Sequence, residues 1–149
     1  VSDTITAGLS FYGSMINTLK SEKDVRISER ITIPQRRLRG FESGKIGPKD
    51  GADYVGGNYA SAINIYSDLP ILFENSQSTD VKFFLDAANL WGADFKDNDG
   101  ASSYIRSSAG LALDWFTPVG PLNFSFAKPI TKKSSDKTES FRFNIGTTF

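Results

Sequence analysis

The residues that could do chemistry in this chain are limited to acids, bases, amides and hydroxyls. Its 149 residues include no Cys and no His, which excludes disulfides, thiolate zinc sites and the most common general base. A catalytic site would need a carboxylate pair, a Ser/Lys pair or a metal held by oxygen ligands. The 17 Lys and Arg residues balance the 17 Asp and Glu residues, and this zero net charge argues against a nucleic-acid partner.

Two short motifs are similar to ligand-binding loops, but both lack residues that the chemistry requires. The segment from Gly40 to Lys45 is similar to a phosphate-binding loop, yet it is one residue short and Ile46 stands where Ser or Thr is needed. Residues 97–100 are similar to part of a calcium loop, but Arg106 stands where the loop needs a bidentate Glu. We therefore expect no metal ion, no cofactor and no catalytic residues.

The elements that would position any polar site are β-strands, because apolar and polar residues alternate with a period of two through most of the chain. This pattern indicates an all-β protein with six strands of roughly ten residues. Their approximate ranges are 3–14, 59–69, 80–91, 104–116, 121–130 and 139–149. Each predicted strand has one apolar face and one face of small, polar or charged residues.

Residues from about 20 to 57 interrupt this alternation and form the longest predicted connection. The segment contains Pro34, Pro48, several glycines and many charged residues. Connections of this length are usually functional or disordered. Short alternating stretches, at residues 25–27 and 31–33, favour local order, so we expect the segment to fold onto another part of the protein.

The alternation fits either a soluble β-sandwich or a membrane barrel. In a sandwich the apolar faces form the core, whereas in a barrel they face lipid and the polar faces line a wet lumen. Three features favour the barrel: Trp91 and Trp115 lie at strand ends on the apolar face, long and short connections alternate, and the last residue, Phe149, is aromatic. Hydropathy shows no apolar run of the 18 or so residues that indicate a membrane helix, but barrel strands escape that test.

Motifs in the long connection and in the last strands resemble the BamA-like family of outer-membrane proteins, also called bacterial surface antigens. The motifs are Leu38-Arg39-Gly40-Phe41, Gly44-Lys45-Ile46-Gly47-Pro48, Val55-Gly56-Gly57-Asn58 and the segments 109–113, 118–122, 124–127 and 141–146. The resemblance covers nearly the whole chain and is weakest at residues 12–37. It implies the last six antiparallel strands of a sixteen-stranded transmembrane β-barrel, with a long loop directed into the lumen. Residues 1–149 would then be a C-terminal fragment of the barrel domain, and the chain would begin in mid-protein.

The resemblance also implies roles for the loop motif Arg39, Gly40 and Phe41. In the family the arginine contacts acidic groups on the inward faces of the strands that follow the loop, and Asp86 matches one of these acids. A guanidinium suits this task because its rigid fork binds a carboxylate through two hydrogen bonds and stays charged. Gly40 would let the backbone turn at the tip, and Phe41 would contact the lumen wall.

One position departs from the family pattern. Tyr66 stands where the family usually has an inward-facing Glu on the intervening strand. Asp68 follows two residues later on the same face and is a candidate replacement. We keep Tyr66 and Asp68, with Asp86, as candidate partners of the loop arginine.

The last strand would form one side of a weakly paired seam between the two ends of the barrel. An incoming strand would pair there by β-augmentation, in which main-chain hydrogen bonds provide affinity and alternate side chains provide register. Gly146 would let the strand bend inward. The residues assigned to this lateral gate are Phe141, Phe143, Ile145, Gly146 and Phe149.

The resemblance therefore implies a non-enzymatic assembly factor of the bacterial outer membrane, which folds and inserts other β-barrels. Its expected partners are unfolded outer-membrane protein clients, outer-membrane lipid and accessory lipoproteins. A passive pore or secretion translocator of the same superfamily is the alternative, since it would share the loop motif. An outer-membrane lipase or protease is a third class, which the absence of His disfavours.

Overall fold

The computed structural model describes residues 5–19, 25–69, 78–92 and 104–146. The described part of the protein is all-β, as predicted, apart from two short 3-10 turns at Ile27–Glu29 and Gln35–Arg37. Within these ranges, no helix is long and apolar enough to cross a membrane. The strands are β1 (Ala7–Met15), β2 (Lys49–Asp50), β3 (Asp53–Tyr54), β4 (Tyr59–Asp68), β5 (Thr79–Trp91), β6 (Arg106–Thr117), β7 (Gly120–Thr131) and β8 (Phe141–Ile145).

Six of these strands form one antiparallel sheet in the order β1-β4-β5-β6-β7-β8. The sheet is a meander, since each strand lies beside the next long strand of the chain, and β2 and β3 form a separate small hairpin inside the connection between β1 and β4. The predicted ranges agree closely with β4, β5, β6 and β7. The last strand begins at Phe141, two residues later than predicted, because Glu139 donates its backbone N–H to the loop residue Gly40; the last three residues of its predicted range lie outside the described residues.

The two faces of the sheet differ in burial as a membrane barrel requires. Antiparallel partners share a face, so the register assigns the large apolar side chains to one side, the outer face, where many of them are exposed. These include Leu9, Phe11, Ile63, Ile65, Phe83, Leu85, Leu111, Trp115, Phe126, Phe141, Phe143 and Ile145. The opposite, inner face buries polar side chains, among them Asn64, Asp86, Arg106, Ser108 and Ser125. The sandwich interpretation would need the reverse pattern.

The two tryptophans lie at opposite rims of the outer face. Trp115 pairs with Thr79 at the start of β5, and Trp91 ends that strand and stacks on Tyr59 with 5.7 Å between ring centroids. A strand of this length extends about 40 Å at ~3.3 Å per residue. With the tilt of about 35–45° found in outer-membrane barrels, the two rings are about 30 Å apart in height, which matches aromatic girdles on either side of an apolar band.

Candidate functional site: the inward-folded loop

The connection between β1 and β4 folds back over the inner face of the sheet. We call its described part, residues 25–58, the lumen loop. Small side chains on β4 and β5 leave room for larger apolar side chains of the lumen loop, and together they form the main buried cluster. Its members are Ile33, Leu38, Phe41 and Ile46 from the loop and Ala60, Ala62, Ala88 and Leu90 from the strands. The core of this chain therefore lies between loop and sheet.

Arg39 and Asp86 form a bidentate ion pair at the centre of this contact. Arg39 Nε donates to Asp86 Oδ2 at 2.7 Å and Nη2 donates to Oδ1 at 2.8 Å. The backbone N–H of Arg39 donates to Oδ2 as well, at 3.0 Å. The Asp86 side chain is fully buried whereas the Arg39 side chain remains 23% exposed. Such charge-assisted fork geometry is the strong form of the hydrogen bond and fixes orientation as well as distance.

Asn64 completes the hydrogen bonding of the Asp86 carboxylate. It lies directly opposite Asp86 in the β4–β5 ladder, and its Nδ2 donates to Asp86 Oδ1 at 2.9 Å and to the carbonyl oxygen of Arg37 at 2.9 Å. Arg37 Nη1 then reaches Ser10 Oγ on β1 at 2.6 Å. One network thus ties the lumen loop to three neighbouring strands.

Two further residues hold Arg39 from the other side. The guanidinium carbon lies 3.5 Å from the centroid of the fully buried Phe84 ring, a cation–π contact that is strongest where water is excluded. Ser108 on β6 donates its hydroxyl to the carbonyl oxygen of Arg39. Both the side chain and the backbone of Arg39 are therefore fixed to the inner face.

Gly40 occupies a position that no other residue fits easily. Its φ of +89° lies in the left-handed region, and a Cβ there would lie 3.0 Å from the Cβ of Ala127 and 3.3 Å from that of Ser108. Glycine is required by conformation and by close approach to the sheet together. The next residue, Phe41, is buried to 2% exposure in the loop cluster.

Tyr66 and Asp68 lie further along β4, away from Arg39. The Tyr66 ring covers Gly8 of β1, where an added Cβ would lie 2.2 Å from a ring carbon, and Asp68 faces Lys82 across the β4–β5 ladder. Among the described residues, neither side chain has a hydrogen bond or ion pair with Arg39. The structure instead places the amide of Asn64 beside the arginine's acid, as a donor to Asp86.

The last strand, β8, is one edge of the sheet, and β1 is the other edge of the described strands. On the outer face the phenylalanines of β8 pack against β7, with ring centroids 4.9 Å apart for Phe124–Phe143 and 4.9 Å for Phe126–Phe141. Ile145 is exposed, and Gly146 follows it with a φ of +103°. Phe149, also assigned to the gate, lies outside the described residues.

A second arginine–aspartate pair lies on the inner face, and the motifs in the sequence give no sign of it. Arg106 begins β6 and donates from Nε to Asp136 Oδ2 at 2.9 Å and from Nη2 to Asp136 Oδ1 at 3.1 Å. Both side chains are 0% exposed. The one sequence signal is the inward position of Arg106 on a predicted strand, but a wet lumen would solvate such a guanidinium, so the position alone indicates no partner.

Comparison with known proteins decides the family. Residues 2–149 match the family model of the Omp85 superfamily domain. The chain belongs to the Omp85 superfamily. In structure, it is similar to the crystal structure of BamA from Haemophilus ducreyi lacking POTRA domains 1-3, with a TM-score of 0.72 and 26% identity over 93% of this chain and 34% of that one.

Curated relatives in the Omp85 superfamily carry assembly-factor names. The chain is 30% identical to the outer membrane protein assembly factor BamA of Neisseria meningitidis, over 75% of this chain and 17% of that protein. It is also 30% identical to BamA of Neorickettsia risticii, over 87% of this chain and 18% of that protein. A SAM50-like protein of Schizosaccharomyces pombe is 28% identical over 87% of this chain and 29% of its own length. The chain thus spans less than a third of the length of each of these three relatives.

These matches confirm the resemblance to the BamA-like family, the antiparallel all-β fold and the location in the outer membrane. They agree with the exposed apolar face of the sheet, which is suited to lipid. In the described ranges, no group of three or more acidic side chains is arranged to hold a metal ion.

Proposed function

We propose that the protein containing this chain is an outer-membrane protein assembly factor, which folds and inserts other β-barrels, and that residues 1–149 form the C-terminal part of its barrel domain. The observation that best supports this is the Arg39–Asp86 pair, which holds the lumen loop on the inner face of a sheet that resembles BamA. The chain is one part of a sixteen-stranded closed barrel in this proposal. Its two free edges, β1 and β8, would otherwise be left unpaired in hydrocarbon.

The proposed activity uses hydrogen bonding rather than covalent chemistry. The edge of β8 pairs with the first strand of the whole barrel in a short, weak seam. An unfolded client chain opens this seam and adds its own strand to the exposed edge. The exposed phenylalanines of β8, Phe141 and Phe143, keep the outer side of the edge in lipid while the client pairs.

The lumen loop supports this activity by keeping the inner face in one arrangement. Asp86 is fully buried, and the four hydrogen bonds that it accepts come from Arg39 and Asn64. Displacing the loop would leave that carboxylate with few donors, which disfavours displacement. In this proposal Arg39, Gly40 and Phe41 hold the loop, and the gate residues Phe141 to Phe149 receive the client.

The proposed partners follow from this activity. They are unfolded outer-membrane protein clients at the β8 edge, outer-membrane lipid on the apolar outer face, and accessory lipoproteins of an assembly complex. The chemistry needs no cofactor, no metal ion and no catalytic side chain. A passive pore or secretion translocator would share the loop and the sheet, but it would not need the seam at β8 to open.

A reversible crosslink at the seam tests the proposal in the full-length protein. One cysteine is placed in residues 141–145 and the other in the first strand of the barrel; this chain contributes no other Cys. We expect the crosslinked protein to stay folded, to lose client insertion, and to regain it on reduction. The control is a disulfide between Ser125→Cys and Arg142→Cys, which face each other in the β7–β8 ladder and leave the seam free. Normal insertion by the crosslinked seam would favour the passive pore instead.

A further inference from the structure

The connection between β7 and β8, residues 132–140, does more than link two strands, because it pairs with the tip of the lumen loop. We call this connection the clasp. The backbone of loop residues 40–45 and clasp residues 137–139 forms a short antiparallel ladder, which includes a bridge between Phe41 and Thr138. Its hydrogen bonds are Glu139 N–H to Gly40 O at 3.0 Å, Glu42 N–H to Lys137 O at 3.0 Å and Lys137 N–H to Lys45 O at 3.1 Å.

Side chains add to this contact at two other places in the loop. Gln35 Nε2 donates to Glu139 Oε2 at 3.2 Å. The Tyr54 hydroxyl, from the small β2–β3 hairpin, donates to the carbonyl oxygen of Ser135. The clasp is therefore held by residues on both sides of the loop tip as well as by the tip itself.

The buried pair Arg106–Asp136 fastens the clasp to the sheet. Asp136 accepts two hydrogen bonds from the Arg106 guanidinium and a third from the backbone N–H of Lys133 at 2.8 Å. Arg106 Nη1 donates to the carbonyl oxygen of Tyr104 at 2.9 Å. A fully buried, fully hydrogen-bonded pair of this kind contributes more to a unique position than to net stability.

The clasp continues without a break into the last strand. Ser140 accepts the backbone N–H of Ala127 at 2.9 Å, and Phe141 then pairs with Phe126 as the first residue of β8. By contrast, Asp86 lies on β5, three strands away from β8. The Arg39–Asp86 pair alone gives the loop no direct contact with the last strand.

We infer that the clasp couples the position of the lumen loop to the pairing of β8, and that Arg106 and Asp136 are its positioning residues. When the loop tip leaves the inner face, the main-chain bonds that fix the start of β8 are lost with it. When β8 moves, the loop tip loses its partner. The coupling itself is a property of the fold and does not depend on the proposed function. Its interpretation as control of the gate rests on that function.

Hydrogen exchange of the full-length protein, measured by mass spectrometry without any client, tests the coupling. We expect Asp136→Asn to speed exchange at least tenfold at residues 42–45, 137–139 and 141–143. The amide of Arg39 should exchange faster by a smaller factor, because Asp86 still binds it. The control is Asp80→Asn, which removes an exposed ion pair with Lys82 on the other rim of the sheet and should change none of these segments. Faster exchange confined to residues 132–138 would overturn the inference.

A second variant keeps the test decisive if Asp136→Asn does not fold. The double variant Arg106→Met, Asp136→Leu leaves no unpaired charge in the interior and so should fold. It lacks the directional bonds, so exchange should still rise at least tenfold at 42–45 and 141–143. Protection equal to that of the parent would show that the ion pair does not position the clasp.

Coupling between two segments must also be reciprocal. Arg39→Ala, which weakens the attachment of the loop to β5, should therefore speed exchange at residues 141–143, although the side-chain hydrogen bonds of Arg39 go to Asp86 on β5. Unchanged exchange at 141–143 would overturn the coupling even if the assembly function held. If the full-length protein inserted no clients although the coupling was intact, the assembly function would be wrong and the coupling would stand. The two proposals can therefore be tested separately.

Discussion

The inner face of the sheet holds two arginine–aspartate pairs that differ in which partner the sheet supplies. In Arg39–Asp86 the strand provides the fully buried acid, and the loop provides a cation that remains 23% exposed. In Arg106–Asp136 the strand provides the cation, the connection provides the acid, and both side chains are 0% exposed. Both pairs are bidentate, so geometry does not separate them.

The two arginine–aspartate pairs differ in how far water can reach them. Arg39 is already partly exposed, so its guanidinium would be hydrated if the loop left the inner face, while Asp86 would keep one of its four hydrogen bonds, from Asn64. Breaking the other pair leaves Arg106 or Asp136 in a site without water, where an uncompensated charge is most costly. Breaking the first pair should therefore cost less free energy than breaking the second, although both pairs hold the lumen loop and the clasp in place.

The largest effect is expected from removing the acid of the fully buried pair. Asp136→Ala leaves the Arg106 charge uncompensated and should lower the free energy of unfolding by about 3–5 kcal/mol. The measurement is the urea midpoint of the full-length protein in detergent micelles. Arg106→Met combined with Asp136→Leu should recover most of the loss. A loss below about 1 kcal/mol in the single variant would remove the distinction between the pairs.

Reversing the charges of the loop pair should have a smaller effect. Arg39→Asp sets two carboxylates together, but the loop can swing into the lumen, so we expect a loss of about 2–3 kcal/mol and slower client insertion. Asp86→Arg should be similarly harmful. The combined swap should recover part of the loss, with a coupling energy of about 1–3 kcal/mol. Strictly additive losses in the double variant would mean that the two residues act independently.

The strands could be predicted from the sequence for local reasons, whereas the loop pair was expected only from the resemblance to the BamA-like family. Period-two alternation is a property of each strand alone, so β4 to β7 could be predicted without knowledge of their neighbours. The alternation alone does not say which face meets lipid, whereas the burial of residues such as Asp86 on the inner face does. Arg39 was singled out because it lies in a specific motif.

The clasp and its partners could not be predicted in the same way. Asn64 acts through the register that sets it opposite Asp86, and register depends on pairing between strands. The clasp is rich in Lys, Ser and Asp and has the composition of a solvated turn. Asp136 binds Arg106 of β6, and its neighbours Ser135 and Lys137 bind the lumen loop, so no short stretch of sequence contains both sets of contacts.

Adding a side chain at the tip of the lumen loop should have a smaller effect than reversing the charges of the Arg39–Asp86 pair. Gly40→Ala meets Ala127 at 3.0 Å in a left-handed conformation, and we expect a loss of about 2 kcal/mol in the same urea measurement. The matched control is Gly44→Ala, whose φ is also positive but whose added Cβ would have open space. The control should lose only about 1 kcal/mol. Equal losses would mean that conformation alone, and not contact with the sheet, selects glycine at position 40.

The smallest effect is expected from an ion pair that water reaches freely. Lys82 and Asp80 lie 3.2 Å apart with side chains 32% and 44% exposed. Asp80→Asn should lower the free energy of unfolding by less than about 1 kcal/mol, because water and salt screen exposed pairs. That small loss should shrink further as the salt concentration rises through the range where the Debye length falls below about 8 Å. The loss from Asp136→Ala should respond little to salt, since its site excludes ions as well as water. If Asp80→Asn and Asp136→Ala shared the same magnitude and salt dependence, exposure would not predict the cost of breaking an ion pair, and the expectation that the Arg39–Asp86 pair costs less to break than the Arg106–Asp136 pair would fail.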